Sequence, residues 1–218
     1  MQYILSPYNY DLTDPESIPN LFLQHLWLVG LTMLISLVIA IPLGLLAARY
    51  KGLYAPLIAV ADILYTIPSI AMVAFLISVT GLTLPTILIP LVLYTQLVLV
   101  RNIVAGINNL DPLLIEVGKA MGMSSLQLFW RVRLPLALPT IVAGIRIATV
   151  TTIGIASLAG LVAEGGLGDL IFKNLASGET NAVVAGAILL AVLAVVVDLL
   201  LLSLQVALNR GRSSLSVS

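Results

Sequence analysis

The chain has 218 residues, 60% of them hydrophobic and only 9% charged, with a mean hydropathy of +1.13. Soluble domains carry about a quarter charged residues, so lipid must do part of the solvating here. Ten basic residues balance ten acidic ones, which argues against a nucleic-acid partner, and the absence of cysteine with a single histidine excludes disulfides, thiol-ligated metals and histidine clusters.

The length allows one domain, expected as a single transmembrane unit over residues 1–218. Its start holds Asp11, Asp14 and Glu16 without a basic residue, unlike a secretory signal, so the first apolar run reads as a retained span. A spanning helix needs about 20 mostly apolar residues, and five stretches qualify. The first covers residues 25–48, with His25 as an interfacial residue at its outer end. The second covers 55–79, Thr80 and Gly81 form a hairpin, and the third covers 82–100. After a polar interval come the fourth, 136–162, and the fifth, 182–208, followed by a polar tail at 211–218 that is expected to fray. Pro42, Pro68 and Pro90 fall inside spans, where neighbouring helices absorb the lost hydrogen bonds. The expected fold class is an all-α integral membrane protein with five transmembrane helices.

Basic residues orient such a bundle. Arg49, Lys51, Arg101, Lys119, Arg131, Arg133, Arg210 and Arg212 fall on one side, and Lys173 alone on the other. The bias places the N-terminus outside and the C-terminus in the cytoplasm.

The cytoplasmic interval 103–135 carries its own structure. Asp111 and Pro112 are an N-cap and first-turn proline, Glu116 lies near the positive end of the helix dipole, and Gly122 supplies a left-handed stop. Ser124 or Ser125 caps a second short helix over 126–132, which Leu134 and Pro135 are expected to end. Such a hairpin either anchors the third and fourth spans or docks a soluble partner.

The run E-V-G-K-A-M-G at 116–122, nine residues, then V-R-L-P at 132–135 resembles the EAA loop of ATP-binding-cassette importer permeases. Glu116, Gly122, Leu134 and Pro135 match that pattern in type and spacing. Val117 and Gly118 replace its two alanines, Gly118 at a cost in helix propensity, and Val132 replaces its isoleucine. The resemblance implies a MetI-like fold in which Glu116, Gly118, Ala120, Met121, Gly122, Leu134 and Pro135 form the coupling region that fits a cytoplasmic ATPase. This chain has no G-x-x-x-x-G-K-[ST] loop, so ATP and Mg would be used by a separate subunit, and no cofactor is expected on this one. A separate extracytoplasmic solute-binding protein is implied, together with a second permease, either a copy of this chain or a paralogue. The setting is a prokaryotic cell (inner) membrane.

Further stretches resemble permeases for osmoprotectants such as glycine betaine, carnitine and choline. They are Y-T-I-P-S-I-A at 65–71, R-N-I-V-A-G-I at 101–107, A-M-G-M-S at 120–124, P-L-A-L-P-T-I-V-A-G-I-R at 135–146 and G-G-L-G-D-L-I-F at 165–172. Methionine permeases share the fold and a G-G-L-G element and are the alternative. Quaternary ammonium groups are held by aromatic rings. Tyr65 and Tyr94, with Pro68 between them in sequence, are therefore candidates for a translocation path, against the plainer reading of packing or interface anchoring. The outer segment 164–180 is either an ordinary glycine turn or a partly re-entrant gate, with Gly166 and Gly168 allowing close backbone approach.

Asp62, Arg146 and Asp198 are ionisable residues within spans, where they normally face protein or water. Counted at about 1.5 Å per residue, Arg146 and Asp198 both lie roughly 14 Å from the cytoplasmic ends of their spans, so an intramembrane ion pair is expected. An intramembrane enzyme would need ligands or a catalytic set that this composition lacks. A secondary carrier would be expected to show two repeats, and none is evident. A membrane channel outside the importer class would have no use for the EAA-type loop.

Overall fold

The computed structural model describes residues 2–213 and is helical from end to end of that range. A single turn, α1 (Gln2–Leu5), and a 3-10 turn at Pro7–Tyr10 precede α2 (Ile18–Arg49). Then come α3 (Lys51–Thr66), α4 (Ser69–Thr80), α5 (Leu84–Asn108), α6 (Pro112–Ala120), α7 (Ser125–Leu128), α8 (Leu134–Ala156), α9 (Gly168–Ser177) and α10 (Thr180–Ser213). Four helical runs are long and apolar enough to cross a membrane: Ile18–Arg49, Leu84–Asn108, Ser125–Leu161 and Thr180–Asn209. The bent pair α3 and α4 makes a fifth if counted as one span.

Helix α5 is the axis of the bundle, packed by α2, α3, α4 and α8, while α10 lies outside against α8 and α9. Apolar burial alone cannot hold such helices together, because lipid is as apolar as leucine, so close packing and interhelical hydrogen bonds must do so. Small residues supply the packing. Gly44 lies against Ile103, Gly106 against Ala137 and Gly144 against Asn102, each too near for a side chain. A hydrogen bond from Thr95 Oγ1 to Ser36 Oγ, 2.7 Å, joins α5 to α2. Such bonds contribute about 0.6–2 kcal/mol each.

The second apolar stretch is not one straight helix. It breaks at Ile67 and Pro68, and α3 and α4 meet at 88°. A proline pushes the residue before it out of the helical region, and Ile67 is extended, at φ −71° and ψ 125°. The Tyr94 hydroxyl donates to the Ile67 carbonyl at 2.9 Å and so satisfies an acceptor at the break. Pro42 and Pro90, by contrast, stay inside α2 and α5.

Three other boundaries differ from the sequence reading. Helix α5 runs on to Asn108, eight residues past the expected end of the third span, so Arg101 is a helical residue. Leu134 and Pro135 do not end a helix. The chain passes from α7 through a π-helical turn, Phe129–Arg133, directly into α8. The Leu134 N–H reaches back five residues to the Phe129 carbonyl. Pro135 has no N–H and its ring would crowd a normal helical turn, and the wider π turn accommodates it. Finally, α10 continues to Ser213 where fraying was expected from residue 211, and the rest of that tail lies outside the described residues.

Candidate functional site

The hairpin between α5 and α8 is built by caps. The Asp111 carboxylate accepts from the Leu113 N–H at 2.9 Å, opening α6. At the other end Gly122 turns left-handed, φ +77°. Its N–H donates to the Lys119 carbonyl at 2.9 Å, and the Met123 N–H donates to the Gly118 carbonyl at 3.1 Å. These two bonds form a Schellman stop. Ser124 and Gln127 then make a reciprocal capping box that starts α7. With both ends of each turn satisfied, the hairpin is a rigid body.

Its two arms lock at Gly118. That residue is buried, and a Cβ there would stand 2.5 Å from Leu128 Cδ1. The glycine, expected only to weaken the helix, lets the Leu128 side chain of α7 pack directly on α6. The outer surface is apolar: Leu113, Leu114, Val117, Met121, Leu126 and Trp130 are all exposed. Glu116, Lys119, Ala120 and Gly122 are exposed around them, while Leu134 and Pro135 lie beyond the π turn at the start of α8. Several exposed large apolar side chains on one short element mark a contact with protein or membrane.

Tyr65 and Tyr94 meet edge to face, with ring centroids 5.9 Å apart. Tyr94 is buried with its hydroxyl engaged at the break, whereas Tyr65 is exposed beside Pro68. One turn below Tyr65 on α3, Asp62 accepts from Arg101 Nη2 through both carboxylate oxygens at 2.7 Å. The sequence reading gave Asp62 no partner and placed Arg101 just beyond the third span.

In the segment before α9, Gly165 and Gly166 have φ of +74° and +80°, and the Gly166 N–H donates to Gln24 Oε1 at 3.0 Å. A Cβ on Gly168 would overlap the Ser157 carbonyl, so α9 can press onto the 3-10 turn Ser157–Leu161 only through glycine. His25 is not interfacial. It is fully buried under Gly166, and its Nε2 donates to the Ile153 carbonyl at 3.1 Å. The segment is therefore folded onto α2, the 3-10 turn and α10. Lys173 bridges Asp169 at 2.6 Å and Glu16 at 3.0 Å. Asp169 foremost, and Glu16 after it, hold the Lys173 ammonium above the ordinary lysine value against the opposing effect of partial burial.

Between α8 and α10, Arg146 grips Asp198 with two nitrogens: Nη2 meets Oδ2 at 2.8 Å and Nε meets Oδ1.

Over 85% of this chain and 93% of the other, the fold matches a chain from inward-facing conformations of the MetNI methionine ABC transporter, with a TM-score of 0.74 at 23% identity. It is 40% identical to the carnitine transport permease protein OpuCD of Listeria monocytogenes, over 92% of this chain and 91% of that protein. It is 37% identical to the osmoprotectant import permease protein OsmW of Salmonella typhimurium, over 92% and 96%. With the glycine betaine/carnitine/choline transport system permease protein OpuCD of Bacillus subtilis it shares 41% identity, over 86% and 82%. A binding-protein-dependent system comprises an ATPase and a solute-binding protein beside its membrane component. Residues 40–213 match the family model of the binding-protein-dependent transport system inner membrane component, and the chain belongs to that family as the multi-pass permease subunit of an ATP-binding-cassette importer.

Proposed function

We propose that this permease imports quaternary-amine osmoprotectants of the glycine betaine, carnitine and choline class. The observation that carries the reading is the near-full-length identity of about two residues in five with permeases named for those solutes. The methionine importer is alike in fold at 23% identity, which favours no particular solute.

The capped hairpin, through Glu116, Gly118, Ala120, Met121, Gly122 and the Leu134 and Pro135 junction, seats the ATPase, which uses ATP and Mg. Its exposed apolar surface supports this. A stiff hairpin transmits displacement, and the π turn passes that displacement directly into α8. The N-terminus lies outside and the C-terminus in the cytoplasm, in keeping with the basic bias. A second permease, a copy or a paralogue, covers the exposed faces of α3 and α4. Tyr65 and Pro68 border the path between the two, Tyr94 props the break open, and the Gly166 and Gly168 segment closes the outer side.

The test is uptake in cells that lack osmoprotectant transport, given this chain with its ATPase and binding protein. Labelled glycine betaine, carnitine, choline and methionine are offered separately. Uptake of at least one quaternary amine, abolished by an ATPase-dead partner, is the expected result. Uptake of methionine alone would overturn the substrate reading.

A further inference from the structure

Two ion pairs occur within the helical bundle, and they are built differently. In Arg146 and Asp198, two guanidinium nitrogens meet two carboxylate oxygens, and the side chains are 28% and 31% exposed. That is a fork closed on itself. In Arg101 and Asp62 a single nitrogen, Nη2, reaches both oxygens at 2.7 Å, and the side chains are 46% and 44% exposed. Arg101 Nε and Nη1 have no protein partner among the described residues.

The depth of this second pair matters. Arg101 lies seven residues from the end of α5 at Asn108, roughly 10 Å along the helix. Asp62 lies eleven residues into α3 from Lys51, roughly 16 Å along it. Charges so placed and so exposed cannot face lipid; they face water or another protein. Tyr65, exposed three residues on from Asp62, stands on the same side of α3. The exposed neighbours Val60, Ile63 and Ile67 are apolar. The surface therefore offers a carboxylate, an aromatic ring and a guanidinium with free donors in a row, set in an apolar wall.

Resting on the osmoprotectant reading, we propose that Asp62, Tyr65 and Arg101 form a transit site for zwitterions. Arg101 turns its free N–H donors to the carboxylate of the solute, while Asp62 and the Tyr65 ring face the quaternary ammonium. The guanidinium geometry suits a carboxylate, and the ring suits a cation that has no N–H of its own. With no solute present the two charges neutralise each other, which keeps the site soluble in the bundle and makes binding an exchange of partners. Exchange leaves the solute weakly held, as a path requires.

The site distinguishes solutes that carry a carboxylate from those that do not. Glycine betaine has one and choline does not, yet both carry the ammonium. Uptake of both is measured in cells carrying the whole importer, for the native chain, Arg101→Gln, Asp62→Asn and Arg101→Lys, each normalised to permease in the membrane. Because every variant uses the same binding protein, its own preference cancels in the ratio. Arg101→Gln should shift the glycine betaine to choline ratio about tenfold towards choline, the scale of one charge-assisted hydrogen bond. Asp62→Asn should lower choline uptake most and, by freeing Arg101 for the carboxylate, move the ratio the opposite way, towards glycine betaine. Arg101→Lys should return part of the ratio lost in Arg101→Gln. Equal losses in Arg101→Gln and no ratio shift in Arg101→Lys would make the pair purely structural and overturn the proposal. A native importer that carries neither of these solutes nor carnitine would overturn the osmoprotectant reading itself, so the two failures are distinguishable.

Discussion

Arg146 on α8 and Asp198 on α10 face each other fork to fork, and theirs is the one ion pair among the described residues that joins α10 to the rest of the bundle. Around them α10 is made of Ala, Val, Ile and Leu, which offer no other polar hold on α8.

Removing one partner leaves a charge without its counter-ion, whereas removing both also removes the desolvation penalty. Asp198→Leu and Arg146→Met should each lower the detergent melting temperature by several degrees and reduce folded yield, and the double variant should recover much of both. Additive losses would show that the contact does not hold the helices. A stable double variant without uptake would place the two charges on the solute path.

Gly118 and Gly122 should fail for different reasons. At Gly118 the obstacle is Leu128, and overpacking of that kind costs about 1–3 kcal/mol. Gly118→Ala, which restores a residue of the family pattern, should weaken capture of the ATPase, and Leu128→Val added to it should restore capture. At Gly122 there is open space, with no atom within 4 Å, but φ is +77°, so Gly122→Val strains the backbone by at least about 1–2 kcal/mol. No change at Leu128 should rescue it. Pull-down with the ATPase reads both, and normal capture by both single variants would sink the docking assignment.

Orientation is testable because the chain has no cysteine. Ser17 is buried and makes a poor label site, whereas Leu12 and Ser125 are exposed. An impermeant thiol reagent should label Leu12→Cys in intact cells and Ser125→Cys only after permeabilisation. The reverse pattern would invert the topology.

The Lys173 bridge predicts a flat pH response. A raised ammonium contributes stability that is complete below the ordinary lysine value of 10.5 and is lost only as pH rises through the higher folded value. The loss of stability in Lys173→Met should therefore be the same from about pH 6 to 9. A loss confined to one end of that interval would assign the coupling to another group.

The hairpin was legible because its signals are local. Asp111 beside Pro112, Gly122 and Ser124 each act on backbone groups within four residues. The break at Pro68 was not, because Pro42 and Pro90 look the same in sequence and stay helical, and the Tyr94 hydroxyl that supports the break comes from another helix. Arg101 reads as lying beyond the third span, and is helical and paired with Asp62. His25 reads as an edge residue, and is buried because Gly166, far along the chain, has no side chain to displace it. Each of these three misses is a contact between helices, which residue spacing within one helix does not encode.

The right-angled break between α3 and α4 also sets how the surrounding lipid must lie. Helix α3 has 16 residues, about 24 Å of rise, against a hydrocarbon core about 30 Å thick. With α3 along the bilayer normal, the 12 residues of α4 lie in the membrane plane and add almost nothing to its height. In that orientation this flank of the protein is shorter than the membrane around it. Acyl chains beside it must shorten or tilt, unless protein takes their place.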